Sequence, residues 1–378
     1  MPDHIAIDPS REMDLQWLPT GGEALAEMLA AIAAARRSVR LEMYIFDPSP
    51  VGDSFRDALA NACRRGATVQ VLIDAFGSMS LPDGYWETLR AAGGQVRRFN
   101  PNGLKRFGIR DHRKILVCDD DLAIIGGANI AAEYHGDGVA SGWRDLGLKI
   151  RGPLAAELAA AADEMFARAD AWHKPFSRLR KSPRQKALPS AGGRLLLTGP
   201  GRNNPIKLAL SHDLKHAGQV AIICAYFLPP TRILRQLARL ARRGTQVQLI
   251  LPGKSDVLLS RLAAQSFYRR LLRAGVEIYE YQPQILHAKM FLIDDIVYVG
   301  SSNLDSRSLN INYELMLRVP EPRLASEGRE IFSSIRAFSR QVEWAHWRRS
   351  RNFLDRIKGR LARWVLAHLD PYVARQSS

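Results

Sequence analysis

Two stretches decide the architecture: Ala62-Cys-Arg-Arg-Gly66-Ala-Thr-Val-Gln-Val71 and Leu240-Ala-Arg-Arg-Gly244-Thr-Gln-Val-Gln-Leu249. Each ends a run of helical spacing, passes a glycine and opens a β-rich run. Working outward, the surroundings match as well. Before the first stretch come Val39 to Phe46 as a strand, a proline-containing break and a helical Phe55 to Arg65. After it come Val69 to Asp74 as a strand, a helical Tyr85 to Ala92 and the strand Gln95 to Phe99. The second copy runs Val220 to Leu228, Pro229-Pro230, Ile233 to Arg243 and Val247 to Leu251, then Leu258 to Ala274 and Val276 to Tyr281. A duplicated unit of alternating strands and helices predicts an α/β protein of two similar lobes, each a mixed sheet flanked by helices, packed with pseudo-twofold symmetry. The expected division is a first lobe over 1–174, a linker over 175–193, a second lobe over 194–340 and a basic C-terminal segment over 341–378. The linker expectation rests on Arg178, Arg180, Lys181, Arg184 and Lys186 mixed with Pro175, Pro183 and Pro189, a composition that reads as a solvated basic loop.

The 378-residue chain is 46% hydrophobic and 24% charged, enough apolar material for one large or two medium domains, which excludes disorder as its main state. Lys plus Arg is 54 against 38 for Asp plus Glu, a net charge of +16, and the pI is about 10.1. Such a surface suits a polyanionic partner, either nucleic acid or an acidic membrane. Cys63, Cys118 and Cys224 lie far apart without paired spacing, so neither a disulfide framework nor a zinc site is expected, and a reducing, cytosolic setting fits. Charged residues crowd the first fifteen positions, so no secretory signal is expected. The longest stretch without Asp, Glu, Lys or Arg, His216 to Thr231, contains Pro229 and Pro230 and is too short to span a bilayer; membrane contact is therefore expected to be peripheral.

Both copies reach the same constellation at the same place. The first has His112-Arg-Lys114, four residues, Asp119, then Gly126-Gly-Ala-Asn129; the second has His287-Ala-Lys289, four residues, Asp294, then Gly300-Ser-Ser-Asn303. Residues two apart on a strand share a face, so each His-x-Lys presents an imidazole beside an ammonium, a pairing suited to phosphate. A hairpin-like return to Gly-x-x-Asn adds backbone amides and a carboxamide as neutral donors. Two imidazoles around one phosphorus can divide a double displacement between a nucleophile and a proton carrier. Asp119 and Asp294 are odd-spaced from their histidines and read as turn-stabilising members of the motif. An imidazole nucleophile needs its second nitrogen held, usually by a carboxylate. Asp145 and Glu314, which follow the two motifs at comparable distances, are the candidates.

The two motifs resemble the paired HKD motifs of the phospholipase D superfamily, over nearly the whole span from Trp17 to Arg318. Leu41-Glu-Met-Tyr-Ile-Phe46, Ile125-Gly-Gly-Ala-Asn129 and Gly300-Ser-Ser-Asn-Leu-Asp-Ser-Arg-Ser-Leu-Asn310 followed by Asn312-Tyr-Glu314 are most similar to the bacterial cardiolipin synthases, particularly the shorter type without N-terminal transmembrane helices. The resemblance implies two phospholipase D-like lobes sharing one active site, a phosphohistidine intermediate, no cofactor and no obligatory metal. It implies His112 as nucleophile and His287 as general acid and base, in either order, with Lys114, Lys289, Asn129 and Asn303 on the phosphoryl oxygens. It also implies phosphatidyl transfer to phosphatidylglycerol, with phospholipase D hydrolysis or a phosphodiesterase nuclease as alternatives. One departure stands out. Six residues separate Asp119 from Gly126, but five separate Asp294 from Gly300, which implies either a shortened turn or a changed pocket.

Lipid is favoured over nucleic acid by the match itself and by the C-terminal segment. From Arg351 to Leu369, helical spacing puts Phe353, Leu354, Ile357, Leu361, Trp364 and Val365 on one face and Arg356, Arg360 and Arg363 opposite. Such a face either lies in a membrane interface or packs on the protein. Arg106 and Arg110, just before His112, are candidates for an anionic headgroup or for nucleic-acid phosphates, and Ser301 is a further candidate substrate contact. Trp17, Phe46, Phe107, Trp143 and Phe227 are candidates for an acyl-chain entrance, against the plainer role of core packing. Anionic phospholipid at the cytoplasmic face of the inner membrane is the expected partner.

Overall fold

The computed structural model describes residues 13–101, 108–169, 188–190, 193–201, 204–350 and 353–366. Its first sheet is built from β1 (Asp14–Leu18), β2 (Ser38–Met43), β3 (Thr68–Asp74), β4 (Gln95–Phe99), β5 (Ile115–Cys118), β6 (Leu122–Gly126) and β7 (Gly147–Arg151). The seven strands lie in the order β1-β7-β6-β5-β2-β3-β4. The second sheet uses β8 (Leu188–Ser190), β9 (Gly193–Thr198), β10 (Gln219–Ile223), β11 (Gln246–Pro252), β12 (Glu277–Tyr281), β13 (Met290–Ile293), β14 (Ile296–Gly300), β15 (Glu314–Pro320) and β16 (Ser339–Gln341). Its nine strands are ordered β16-β12-β11-β10-β13-β14-β15-β9-β8, so the stretch from β12 to β9 repeats the first sheet from β4 to β1. In both, the three strands joined by helical crossovers are parallel and the hairpin strands carrying the motifs are antiparallel, giving two mixed sheets.

The first lobe carries α1 (Gly21–Ala34), α2 (Pro50–Arg64), α3 (Glu87–Ala91) and α4 (Pro153–Ala167). The second carries α5 (Pro205–Asp213), α6 (Thr231–Arg242), α7 (Leu258–Leu272), α8 (Ser306–Asn310), α9 (Pro322–Ala337), α10 (Trp344–Ser350) and α11 (Phe353–Trp364). The two stretches that open this account are the ends of α2 and α6. Gly66 and Gly244 stop these helices with φ of +95° and +86°, which suits glycine and lets the chain turn into β3 and β11.

One apolar layer fuses the lobes. Ile115, Ile125 and Leu148 of the first sheet pack in the same cluster as Ile223, Met290 and Val299 of the second, with Leu158 of α4 and Leu324 of α9. The indole of Trp17 donates to the Leu324 carbonyl at 3.0 Å inside it. Trp17, Phe46 and Phe227 are buried core residues, so three of the aromatics weighed for an acyl entrance are spent on packing; Phe107 lies outside the described residues.

The one-residue difference between the motifs is absorbed at the far end of a hairpin. Cys118 pairs with Leu122 across a three-residue turn, whereas Ile293 pairs with Ile296 across a two-residue turn. Past the turn the registers coincide, Ile115 opposite Ile125 and Met290 opposite Val299, so Gly126 and Gly300 leave their sheets at equivalent points. The Asp119 carboxylate accepts from the amides of Arg36, Arg37 and Ser38, and Asp294 accepts from Gly218 and Gln219. Both carboxylates thereby fasten the entry of the next strand, on the opposite side from the histidines.

Two boundaries differ from expectation. Leu188–Ser190 and Gly193, inside the stretch read as a linker, belong to the second sheet, because β8 adds antiparallel to β9; 175–187 and 191–192 lie outside the described residues. The C-terminal segment does not stand apart either. Gln341 is in β16, and α11 packs on α7 through its small residues: a Cβ on Gly359 would sit 3.2 Å from the Leu262 carbonyl, and Ala362 is buried. This choice of face turns Ile357, Leu361 and Trp364 outward, 44%, 57% and 51% exposed. Asp119→Ala is expected to lower stability by about 1–2 kcal/mol through three lost charge-assisted bonds at a partly exposed site, read as a lower denaturation midpoint with turnover of the folded protein unchanged. A collapse of turnover at an unchanged midpoint would place this carboxylate in the chemistry.

Candidate active site

The site is assembled by two backbone crossings between lobes. The Tyr313 amide donates to the Arg110 carbonyl and the His112 amide to the Tyr313 carbonyl, both at 2.9 Å. At the related position, the Arg144 amide donates to Ile285 and the His287 amide to Arg144, both at 2.8 Å. The histidines thus sit on the extended approach to β5 and β13, not within those strands. Each crossing sets the residue before one lobe's acid beside the other lobe's histidine. The pairing is consequently exchanged: His112 Nδ1 lies 3.0 Å from Glu314 Oε2, and His287 Nδ1 lies 2.7 Å from Asp145 Oδ2. Each lobe supplies the carboxylate that orients its neighbour's imidazole. With Nδ1 held, the proton on that nitrogen goes to the carboxylate and Nε2 keeps its lone pair.

Both imidazoles border one cleft of about 580 Å³ that also meets Asn129 and Asn303. The Lys114 ammonium donates to the His112 carbonyl at 2.7 Å, and Lys289 lies 2.9 Å from His287 Nδ1 and 3.1 Å from its Nε2. The carboxamide oxygens of the two asparagines are equivalently used, accepting from the Ile45 amide at 3.1 Å and the Tyr226 amide at 3.2 Å. The residue between His112 and Lys114 points the other way, as alternation requires: Arg113 is buried in a two-pronged pair with Glu42.

The acids are held differently. Ser301, expected at the substrate, instead donates its hydroxyl to Glu314 and accepts from the Leu315 amide at 3.1 Å; it is buried and positions the carboxylate. The related position in the first lobe is Gly127, where a Cβ would fall 2.3 Å from Asp145 Oδ1, so the shorter acid is accommodated only by glycine. Burial pushes Glu314 up to about 7, with Lys114 pulling it back in part. Burial also works against ionised Asp145, but His287 and Lys289 outweigh it and hold that carboxyl below its usual range. Burial, then Lys114, Lys289 and Arg307, keep His112 well below the ordinary imidazole value; burial and Lys289 lower His287 to about 4 against the pull of Asp145. Burial lowers Lys114 to about 7 and depresses Lys289 as well. At neutral pH both imidazoles are therefore uncharged, Asp145 is ionised, and Glu314 and Lys114 both titrate.

Arg110 is buried against the cleft with its guanidinium 4.0 Å above the Phe76 ring, while Arg106 lies outside the described residues. Trp143 borders the cleft and packs 5.6 Å from the His287 ring; Tyr44 packs 4.8 Å from the His112 ring. Arg307, at the start of α8, was not picked out from the sequence, although it lies four positions after Asn303 in the same run; it borders the cleft and its charge bears on His112. Tyr134 was missed too: its hydroxyl accepts from Asn129 at 2.7 Å, and nothing in its spacing marks it. Glu314→Gln should lower turnover on the order of 10²–10⁴-fold and remove an acid limb near pH 7, since activity carried by ionised Glu314 rises as pH passes about 7. Asp145→Asn should cost similarly while keeping that limb; a wild-type profile flat from pH 6 to 8 would contradict the assignment.

The chain is similar to known proteins over most of its length. A family model described as cardiolipin synthase, PLD-like domain, matches residues 28–169 and 210–336. Cardiolipin synthase 1 of Bacillus cereus is 30% identical over 343 residues, 86% of this chain and 67% of that protein. Cardiolipin synthase B of Salmonella typhimurium is 32% identical over 80% of this chain and 75% of its own, and cardiolipin synthase A of Pseudomonas aeruginosa is 31% identical over 92% and 72%. The crystal structure of phosphatidylserine synthase from Haemophilus influenzae superposes with a TM-score of 0.74 at 15% identity, covering 96% of this chain and 95% of that one, which establishes a shared fold. Among the described residues, no helix is long and apolar enough to cross a membrane. A duplicated α/β unit, one His-x-Lys in each copy and a family match over both lobes have one explanation: the chain belongs to the cardiolipin synthase family of phospholipase D-like proteins.

Proposed function

We propose that this protein is a phosphatidyltransferase that moves a phosphatidyl group from one phospholipid to the hydroxyl of phosphatidylglycerol, acting peripherally at the cytoplasmic face of an anionic membrane. The observation that carries the reading is the exchanged pairing at 3.0 and 2.7 Å, which leaves two oriented imidazoles on one cleft. His112 is the nucleophile: uncharged at neutral pH, it attacks phosphorus through Nε2 and passes its Nδ1 proton toward Glu314. His287 is the general acid, because ionised Asp145 stabilises the imidazolium form that must deliver a proton. The donor phosphodiester brings negative charge beside Lys114 and Lys289, which relieves the depression they impose on His287 and lets it hold that proton.

The steps balance. The phosphorus bond to the leaving alcohol breaks as the bond to His112 forms, and His287 protonates the departing oxygen. The acceptor hydroxyl then gives its proton to His287 while its oxygen displaces His112. Lys114, Lys289, Asn129 and Asn303 hold the phosphoryl oxygens as charge builds. Asp145, Glu314 and Ser301 are positioning residues, and Asp119 and Asp294 serve the turns. Transfer in place of hydrolysis requires a positioned lipid alcohol and little water; the bordering Trp143, Tyr44 and Phe76 supply apolar surface for that.

Purified protein incubated with labelled phosphatidylglycerol vesicles and EDTA is expected to release glycerol and form cardiolipin, with turnover abolished in His112→Ala. Phosphatidic acid as sole product would make the enzyme a hydrolase. No lipid product, with cleavage of a nucleic-acid phosphodiester, would replace lipid with nucleic acid as substrate.

A further inference from the structure

A second cavity, of about 650 Å³, opens at the junction of α7, α10 and α11, away from the histidines. Five arginines border it: Arg269 from α7 and Arg273 just past its end, Arg348 from α10, and Arg360 and Arg363 from α11. Asp355 is the carboxylate on the same wall. Arg269 and Arg273 stand one turn apart on one helix face, and Gly359 brings α11 close enough to aim Arg360 and Arg363 at the same space. Among the described residues, none of the five lies within ion-pair distance of a carboxylate, whereas Arg40, Arg113, Arg318 and Arg340 all do. Five guanidiniums around one cavity, with Arg363 also over the Phe267 ring at 5.4 Å, make a positive field that attracts an anion.

The surroundings identify which anion. Trp344 and Trp347 line the cavity, the Trp347 ring tilted against Tyr268 at 4.9 Å, so indole surface meets the charged wall. Helix α11 turns the apolar Ile357, Leu361 and Trp364 to solvent. A basic cavity and an exposed apolar face that share α11 match the two parts of an anionic bilayer surface, phosphate for the arginines and apolar interface for the helix. Guanidinium forks bind phosphate oxygens in pairs and retain their charge at any physiological pH. Val257, just before α7, and Leu366, just beyond α11, border the catalytic cleft, so the two helices that hold the cavity also reach the cleft mouth.

We propose that this cavity is a non-catalytic site for the phosphate of an anionic phospholipid, which docks α11 on the bilayer and turns the catalytic cleft toward its substrate. The proposal rests on the lipid reading of the active site but uses different residues. The variant Arg269→Gln/Arg273→Gln/Arg360→Gln replaces exposed side chains and should fold as the wild type. Its binding to phosphatidylglycerol vesicles, read by cosedimentation, is expected to weaken about a hundredfold, with binding to phosphatidylcholine vesicles unaffected. Turnover of a water-soluble short-chain phosphatidylglycerol below its micelle concentration is expected to be unchanged. Leu361→Ser/Trp364→Ser should lose the same vesicle binding with every arginine in place.

Vesicle binding equal to wild type in the arginine variant would overturn the proposal. So would displacement of the protein from phosphatidylglycerol vesicles by millimolar inorganic phosphate at constant ionic strength, which would make the cavity a free-phosphate site, or loss confined to DNA binding, which would make it a nucleic-acid contact. Arginine-dependent vesicle binding by a wild type that turns over no short-chain phosphatidylglycerol would support this site and refute the catalytic reading, so the two failures are separable.

Discussion

The structure depends on two short backbone crossings, Arg110–His112 against Tyr313 and Ile285–His287 against Arg144. Without them each lobe holds a histidine with no carboxylate behind it and a buried acid with no base in front. With them, Glu314 meets His112 and Asp145 meets His287, and neither lobe is complete alone. The cost is the burial of two acids, two lysines and two imidazoles between the sheets. That cost is visible in the same groups: Glu314 is pushed up to about 7, Lys114 down to about 7 and His287 down to about 4. The apolar layer of Ile125, Leu148, Met290 and Val299 supplies the packing that holds such a cluster together.

The two motifs are nearly symmetric, and they differ in how the two acids are held. The hairpins differ by one residue, but the difference falls in the turns at Asp119 and Asp294 and leaves the cleft ends in register. The difference that reaches the acids lies instead at Gly127 and Ser301. Glycine admits the shorter Asp145, which His287 and Lys289 hold below its usual range; serine donates to the longer Glu314, which burial pushes up to about 7.

Much of this was legible in the sequence because duplication turns weak signals into strong ones. The Arg-Arg-Gly helix ends gave the repeat, and the paired His-x-Lys and Gly-x-x-Asn runs gave the site. The periodicity of Ile233 to Arg243 placed one crossover helix within two residues at each end, whereas that of Phe55 to Arg65 missed the first five residues of the other, which starts at Pro50. What was not legible depends on contact between the halves. Local spacing says where Asp145 and Glu314 lie in the chain, not which imidazole each one reaches. Tyr134 and Arg307 have no periodic mark, and Ser301 read as a substrate contact because its hydroxyl partner is thirteen residues away across a strand return. The apolar stripe on α11 was visible, but the choice to pack through Gly359 and Ala362 and expose Leu361 is settled by the shape of α7.

The exchanged pairing is the central claim, and histidine-selective ¹⁵N NMR tests it most directly. In the wild type both histidines should show neutral rings protonated at Nδ1 at pH 7.5. Glu314→Gln should shift the His112 signals and leave those of His287 in place, and Asp145→Asn should do the reverse. A Glu314→Gln spectrum in which His287 changes tautomer while His112 does not would contradict the account, because it would mean that each lobe orients its own histidine.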